Sequence, residues 1–109
     1  MAREGRVEFR AFRGTHRSAV YRSHVTVNAA FDRIVEAATA ELLPTVTHLV
    51  IGETYDPRAA RRIATEITQL RSAVVLLDLD SDLSAIARVA NWCAHARGEA
   101  WLTVRAVDA

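Results

Sequence analysis

A chain of 109 residues, half of them apolar and a quarter charged, suffices for one compact domain with a real core and is short for two. The formal net charge of +1 announces no global electrostatic partner. The single Cys93 excludes an internal disulfide, and no run approaches the roughly 20 apolar residues of a membrane span. The opening MAREGRVEF is too charged to resemble a secretory leader, so the expectation is one cytoplasmic α/β domain over residues 1–109.

Taken in order, Val7, Phe9 and Ala11 alternate with Arg6, Glu8 and Arg10, the period of a strand with one wet face. Gly14-Thr15-His16-Arg17 reads as a turn. Tyr21, Ser23, Val25 and Val27 then line one face of a second strand, so an antiparallel hairpin is expected over 6–27. Asn28 is a candidate N-cap for a first helix whose stripe is Phe31, Ile34, Val35, Ala38 and Leu42, ended by Pro44. Leu49-Val50-Ile51 and Val74-Val75-Leu76-Leu77 are continuously apolar, as buried parallel strands are. Between them Asp56-Pro57 starts a second helix, with Ile63, Ala64, Ile67 and Leu70 on one face. Ser81 or Asp82 caps a third, whose inner face is Leu83, Ile86, Ala87, Ala90, Cys93 and Ala94. Gly98 suits that helix's C-terminal cap, and Ala100–Val107 is a last strand. The expected order is β-β-α-β-α-β-α-β: a hairpin, then right-handed βαβ units with helices packed on one small sheet.

Three constellations are candidates for function. Glu53 and Asp56 follow one apolar run, and Asp78, Asp80 and Asp82 follow the other. In a parallel sheet those strand ends would converge where ligands bind. With Asp56 and Asp82 used as caps, Glu53, Asp78 and Asp80 would be left to hold Mg²⁺ for a nucleotide-binding or phosphate-processing domain. The motifs of phosphate chemistry are missing, however: there is no Walker loop and no GxGxxG. Secondly, residues 1–28 carry six arginines against two glutamates. Arg10, Arg13, Arg17 and Arg22 alternate with Phe9, Phe12 and Tyr21, a pattern that suits phosphate contact and base stacking. Thirdly, Ala85, Val89, Trp92 and Ala96 give the last helix a second apolar line, to be covered by the hairpin or by a second copy in a homodimer. The four histidines show no metal-ligand spacing, and Cys93 on an inner face is an inert core thiol.

The central stretch also resembles a known family. LVI-Gly52-Glu53-Thr54-Tyr55-Asp56, a helix with Ala60 and Ile63, then VVLL-Asp78-Leu79-Asp80 is similar to the strand, Gly-Glu-x-Asp, helix and strand-Asp-Leu-Ser outline of STAS domains, the fold of anti-sigma-factor antagonists. The likeness runs over about residues 47–107. Where that family carries Asp-Ser-Ser-Gly, this chain has Asp80-Ser81-Asp82-Leu83-Ser84. The resemblance implies a small regulatory, non-catalytic module without a cofactor, whose helix ends and loops contact a protein partner. The contact residues would be Glu53, Asp56, Arg58, Arg61, Arg62, Ser81 and Ser84.

Overall fold

The structure, a computed structural model, describes residues 5–14, 20–96 and 99–107, with backbone alone at 20 and 21. Arg17, the expected turn at 15–17 and the expected cap at Gly98 lie outside the described residues. Strand β1 (Arg6–Arg13) pairs antiparallel with β2 (Val20–Val27), as the alternation predicts. Helix α1 (Asn28–Ala40) and a single turn, α2 (Pro44–Thr47), lead to a two-residue strand, β3 (Thr54–Tyr55). Helix α3 (Pro57–Leu70), a 3₁₀ segment (Val74–Leu79), helix α4 (Asp80–His95) and β4 (Ala100–Val107) complete the chain. The sheet order is β2-β1-β4-β3 and every pairing is antiparallel.

One face of this sheet is covered. Val7, Phe9 and Ala11 of β1 and Ala100, Leu102 and Val104 of β4 point into it and are buried. Against them come α4, with Leu83, Ile86, Ala90 and Cys93 at helical spacing, and α3, with Ala60, Ile63, Ile67 and Leu70. Phe31 of α1 meets Phe9 with ring centroids 6.1 Å apart. The opposite face carries Arg6, Glu8, Arg10, Thr103 and Arg105, where Arg105 Nε stands 2.8 Å from a Glu8 carboxylate oxygen. One wet face is the usual state of an antiparallel sheet.

The expected parallel βαβ core is not what forms. Of Leu49-Val50-Ile51, only Leu49 is buried, at the end of the α2 turn, while Val50 and Ile51 sit in an exposed loop. The contact with β4 comes later: Gly52 N–H donates to Val104 O at 2.6 Å and Val104 N–H to Glu53 O at 3.2 Å. Gly52 makes this return possible at φ +104°, a conformation other residues rarely adopt. Val74–Leu79 is likewise no strand. With β4 seated between β1 and β3, the run has become part of the connection between two packed helices. Its 3₁₀ winding brings Leu76 and Leu79, three apart, to the inside. Val74, Val75 and Leu77 are left outside at 79, 67 and 64% exposure.

Smaller expectations also shift. Phe9 faces His24 and Val7 faces Thr26 across the ladder. Cross-strand partners share a face, so β2 turns Thr26 inward and leaves Val25 and Val27 partly exposed. Its inner face is therefore the polar one, one residue out of step with the expected Tyr21-Ser23-Val25-Val27 line. Asn28 is the first residue of α1 and makes no side-chain cap. Neither Ser81 nor Asp82 caps α4, because the 3₁₀ segment runs into it at Asp80. Asp56 does cap α3, accepting from Ala59 N–H at 2.8 Å with Pro57 at the first helical position.

Candidate functional site

The acidic residues expected to converge are held apart by arginines. Arg33 on α1 grips Asp78 through two nitrogens, at 2.7 and 2.9 Å, and donates to Val75 O at 2.9 Å. That fork fixes the 3₁₀ segment to α1, as planar guanidinium suits. Arg71, just past α3, holds Asp80 at 2.9 and 3.2 Å. In both carboxylates the arginine's hydrogen bonds push the pKa below the usual range, with its charge adding to the effect and partial desolvation opposing it. Glu53 lies elsewhere, on the loop laced to β4. Among the described residues no three His, Cys, Asp or Glu side chains are grouped to hold a metal ion, so Glu53, Asp78 and Asp80 do not form the expected Mg²⁺ set.

The residues expected to contact a partner fall at two places. Helices α3 and α4 run antiparallel, with Arg71 beside Asp80 at one end and Pro57, Arg58, Arg61 and Arg62 around Ala94 at the other. Glu53, Asp56, Arg58, Arg61 and Arg62 therefore sit at the end of α3 remote from Ser81 and Ser84. Along the fourteen residues of α3 that offset is about 20 Å between Asp56 and Ser81 and about 8 Å between Arg62 and Ser84. A parallel sheet would have gathered them; a helical hairpin divides them.

The arginine hairpin is divided too. Arg22 pairs with inward-facing Ala11, whereas Arg10 stands on the opposite face, half-buried, its Nε without a hydrogen-bond partner. Phe9 and Phe12 are buried and offer no ring for stacking. Arg13 is exposed on the last residue of β1.

Two surfaces remain that the sequence reading did not assemble. The first is apolar. Val75 and Leu76 face Ala37 and Ala40 of α1 across a cleft of about 260 Å³, flanked by Arg33 and Glu36, and Val74, Val75 and Leu77 stand outward beside it. The second is a groove of about 690 Å³ between β2 and α4, which the expected second apolar line, through Ala85, Val89 and Trp92, helps to line. Its end is fixed by His24 Nε2, 2.7 Å from Asp82 Oδ1.

The sequence reading also passed over Glu66. It is 8% exposed, and its carboxylate accepts from the backbone N–H of Thr45 at 3.1 Å and Val46 at 2.8 Å, closing the start of the α2 turn. A Glu on the apolar stripe of α3, between Ile63 and Leu70, was the available signal. Against this geometry, no protein-family model, curated protein or solved structure matches the chain.

Proposed function

We propose that this chain is a small, non-catalytic regulatory protein–protein interaction domain. The observation that carries the reading is the outward set of Val74, Val75 and Leu77, held in place by the buried Leu76 and Leu79 of the same segment and by Arg33. A contiguous apolar patch rimmed by charge is the mark of an interaction site. Covering a Val or Leu side chain fully returns roughly 1.5–3 kcal/mol, so these three supply the apolar centre of an interface whose surrounding contacts must meet the rest of the association cost. The same class of role is what the likeness of residues 47–107 to STAS domains implies, a likeness of sequence alone, since its two apolar runs are a loop and a 3₁₀ segment here.

The test is site-specific photo-crosslinking. A crosslinking residue at Val75 is expected to give a discrete adduct with a partner protein in cell extract. The same residue at Thr68, exposed on α3, is expected to give none. No adduct at Val75, or identical adducts at both positions, would overturn the proposal.

A further inference from the structure

The groove between β2 and α4 offers a second surface, independent of the Val74–Leu77 patch. It is touched by Arg22, Ser23 and His24 in succession. Consecutive strand residues point to opposite faces, so a cavity that meets all three lies along the strand's edge. That edge is open, because β2 is the terminal strand and pairs with β1 alone among the described residues. The other wall is one face of α4: Ser81, Ala85, Arg88 and Trp92, spaced by four, three and four. An open strand edge facing a helix is the setting in which an extended peptide adds as a further strand, its backbone taking the edge and its side chains reading the wall.

The charge of the walls selects the peptide. Arg22 and Arg88 are exposed and no carboxylate among the described residues lines the groove. Asp82, next to Ser81 in the chain, is engaged by His24. Trp92, half-buried at one end, supplies an apolar platform. From these observations we infer that the groove binds an extended acidic segment of a partner protein as a fifth strand on β2, with carboxylates toward Arg22 and Arg88 and an apolar side chain against Trp92. The eleven steps from Ser81 to Trp92 cover about 16 Å of helix, which a strand of about five residues spans.

A second copy of this chain fits the groove poorly. Its β2, VYRSHVTV, carries no acid, and pairing edge to edge would bring a further arginine, Arg22, into a groove that already holds two. A nucleic acid has no use for a strand edge.

The probe is a fluorescent acetyl-Gly-Glu-Ser-Glu-Ser-Leu-Gly peptide, whose two carboxylates and leucine share one strand face, with the Lys-for-Glu peptide and a single-stranded oligonucleotide as comparisons, while sedimentation follows self-association. Saturable binding of the acidic peptide is expected, weakening as salt rises and falling about fivefold to tenfold in Arg22→Glu and in Arg88→Glu. In the unaltered protein the acidic peptide should slow amide exchange along β2, a readout that does not depend on the variants folding. The inference is overturned if the acidic peptide does not bind, or binds both variants equally. It is overturned equally by tighter binding of the Lys peptide or the oligonucleotide, by unprotected β2 amides, or by dimerisation that fills the groove.

Discussion

Glu66 and Cys93 show how a single residue's surroundings decide its role. Glu66 stands on a buried helix face, yet its two oxygens meet two backbone N–H groups that would otherwise be orphaned at the start of α2. Removing one partner from a buried, charge-assisted contact costs about 1–3 kcal/mol. Glu66→Ala should lose that much in urea unfolding, and Glu66→Gln, which keeps one acceptor, should lose less. Equal losses would mean that the carboxylate is not the cap. Burial pushes the Cys93 thiol up to about 11, with the negative charge of Asp56 adding to it. The folded chain therefore keeps a proton that the unfolded chain releases first, so stability should decline as pH rises past the ordinary thiol value toward 11. Cys93→Ala should lack this contribution to the alkaline decline, and native Cys93 should resist thiol reagents at pH 8. Asp78 works in the opposite sense. Arg33 lowers its pKa, so the pair's contribution is complete above the ordinary carboxylate range near 3.9 and is lost as pH falls through the lowered value. Unfolding curves of the wild type and Arg33→Gln should differ most at neutral pH and draw together in acid, where only the Arg33 bond to Val75 O remains.

At the scale of elements, helices were legible because their apolar spacing survives any change of neighbours. Ile63, Ala64, Ile67 and Leu70 are buried together on α3, and Asp56-Pro57 starts it. The paired central strands, β1 and β4, were legible from their own alternation. The two short apolar runs were not, since four consecutive apolar residues fit a buried strand and a wound connection alike. What separates them is tertiary: whether a sheet position is vacant, and whether an arginine 42 residues away in sequence anchors Val75 O. The end of α1 adds a local cost of the same kind. Leu43 N–H returns to Ala38 O at 2.9 Å only because Leu42 adopts φ +58°, a left-handed conformation that costs a side-chain-bearing residue about 1–2 kcal/mol. Leu42 is 85% exposed and loses little packing on truncation. Leu42→Gly should therefore raise the unfolding free energy by about 0.5–1 kcal/mol; a drop would show that Leu42 is held by contacts.

For the whole molecule, fold class was legible as mixed α/β and the first hairpin as antiparallel, but the direction of the later strands was not, and with it went the site. The expectation that Glu53, Asp78 and Asp80 meet depended on parallel strands ending together. An antiparallel sheet with a helical hairpin leaves Asp78 to Arg33, Asp80 to Arg71 and Glu53 on the loop beside β4. The same rearrangement puts the most apolar run of the sequence on the surface, and the interaction-domain reading stands or falls with that placement. Its most direct test is urea unfolding of the Val75→Asp/Leu77→Asp double variant beside Leu76→Ala. Surface positions tolerate such changes within about 0.5 kcal/mol, so the double variant should unfold near the wild-type midpoint, while Leu76→Ala, which empties a core site, should lose about 2–5 kcal/mol. A double variant that unfolds as readily as Leu76→Ala would place Val75 and Leu77 in the core and contradict the account.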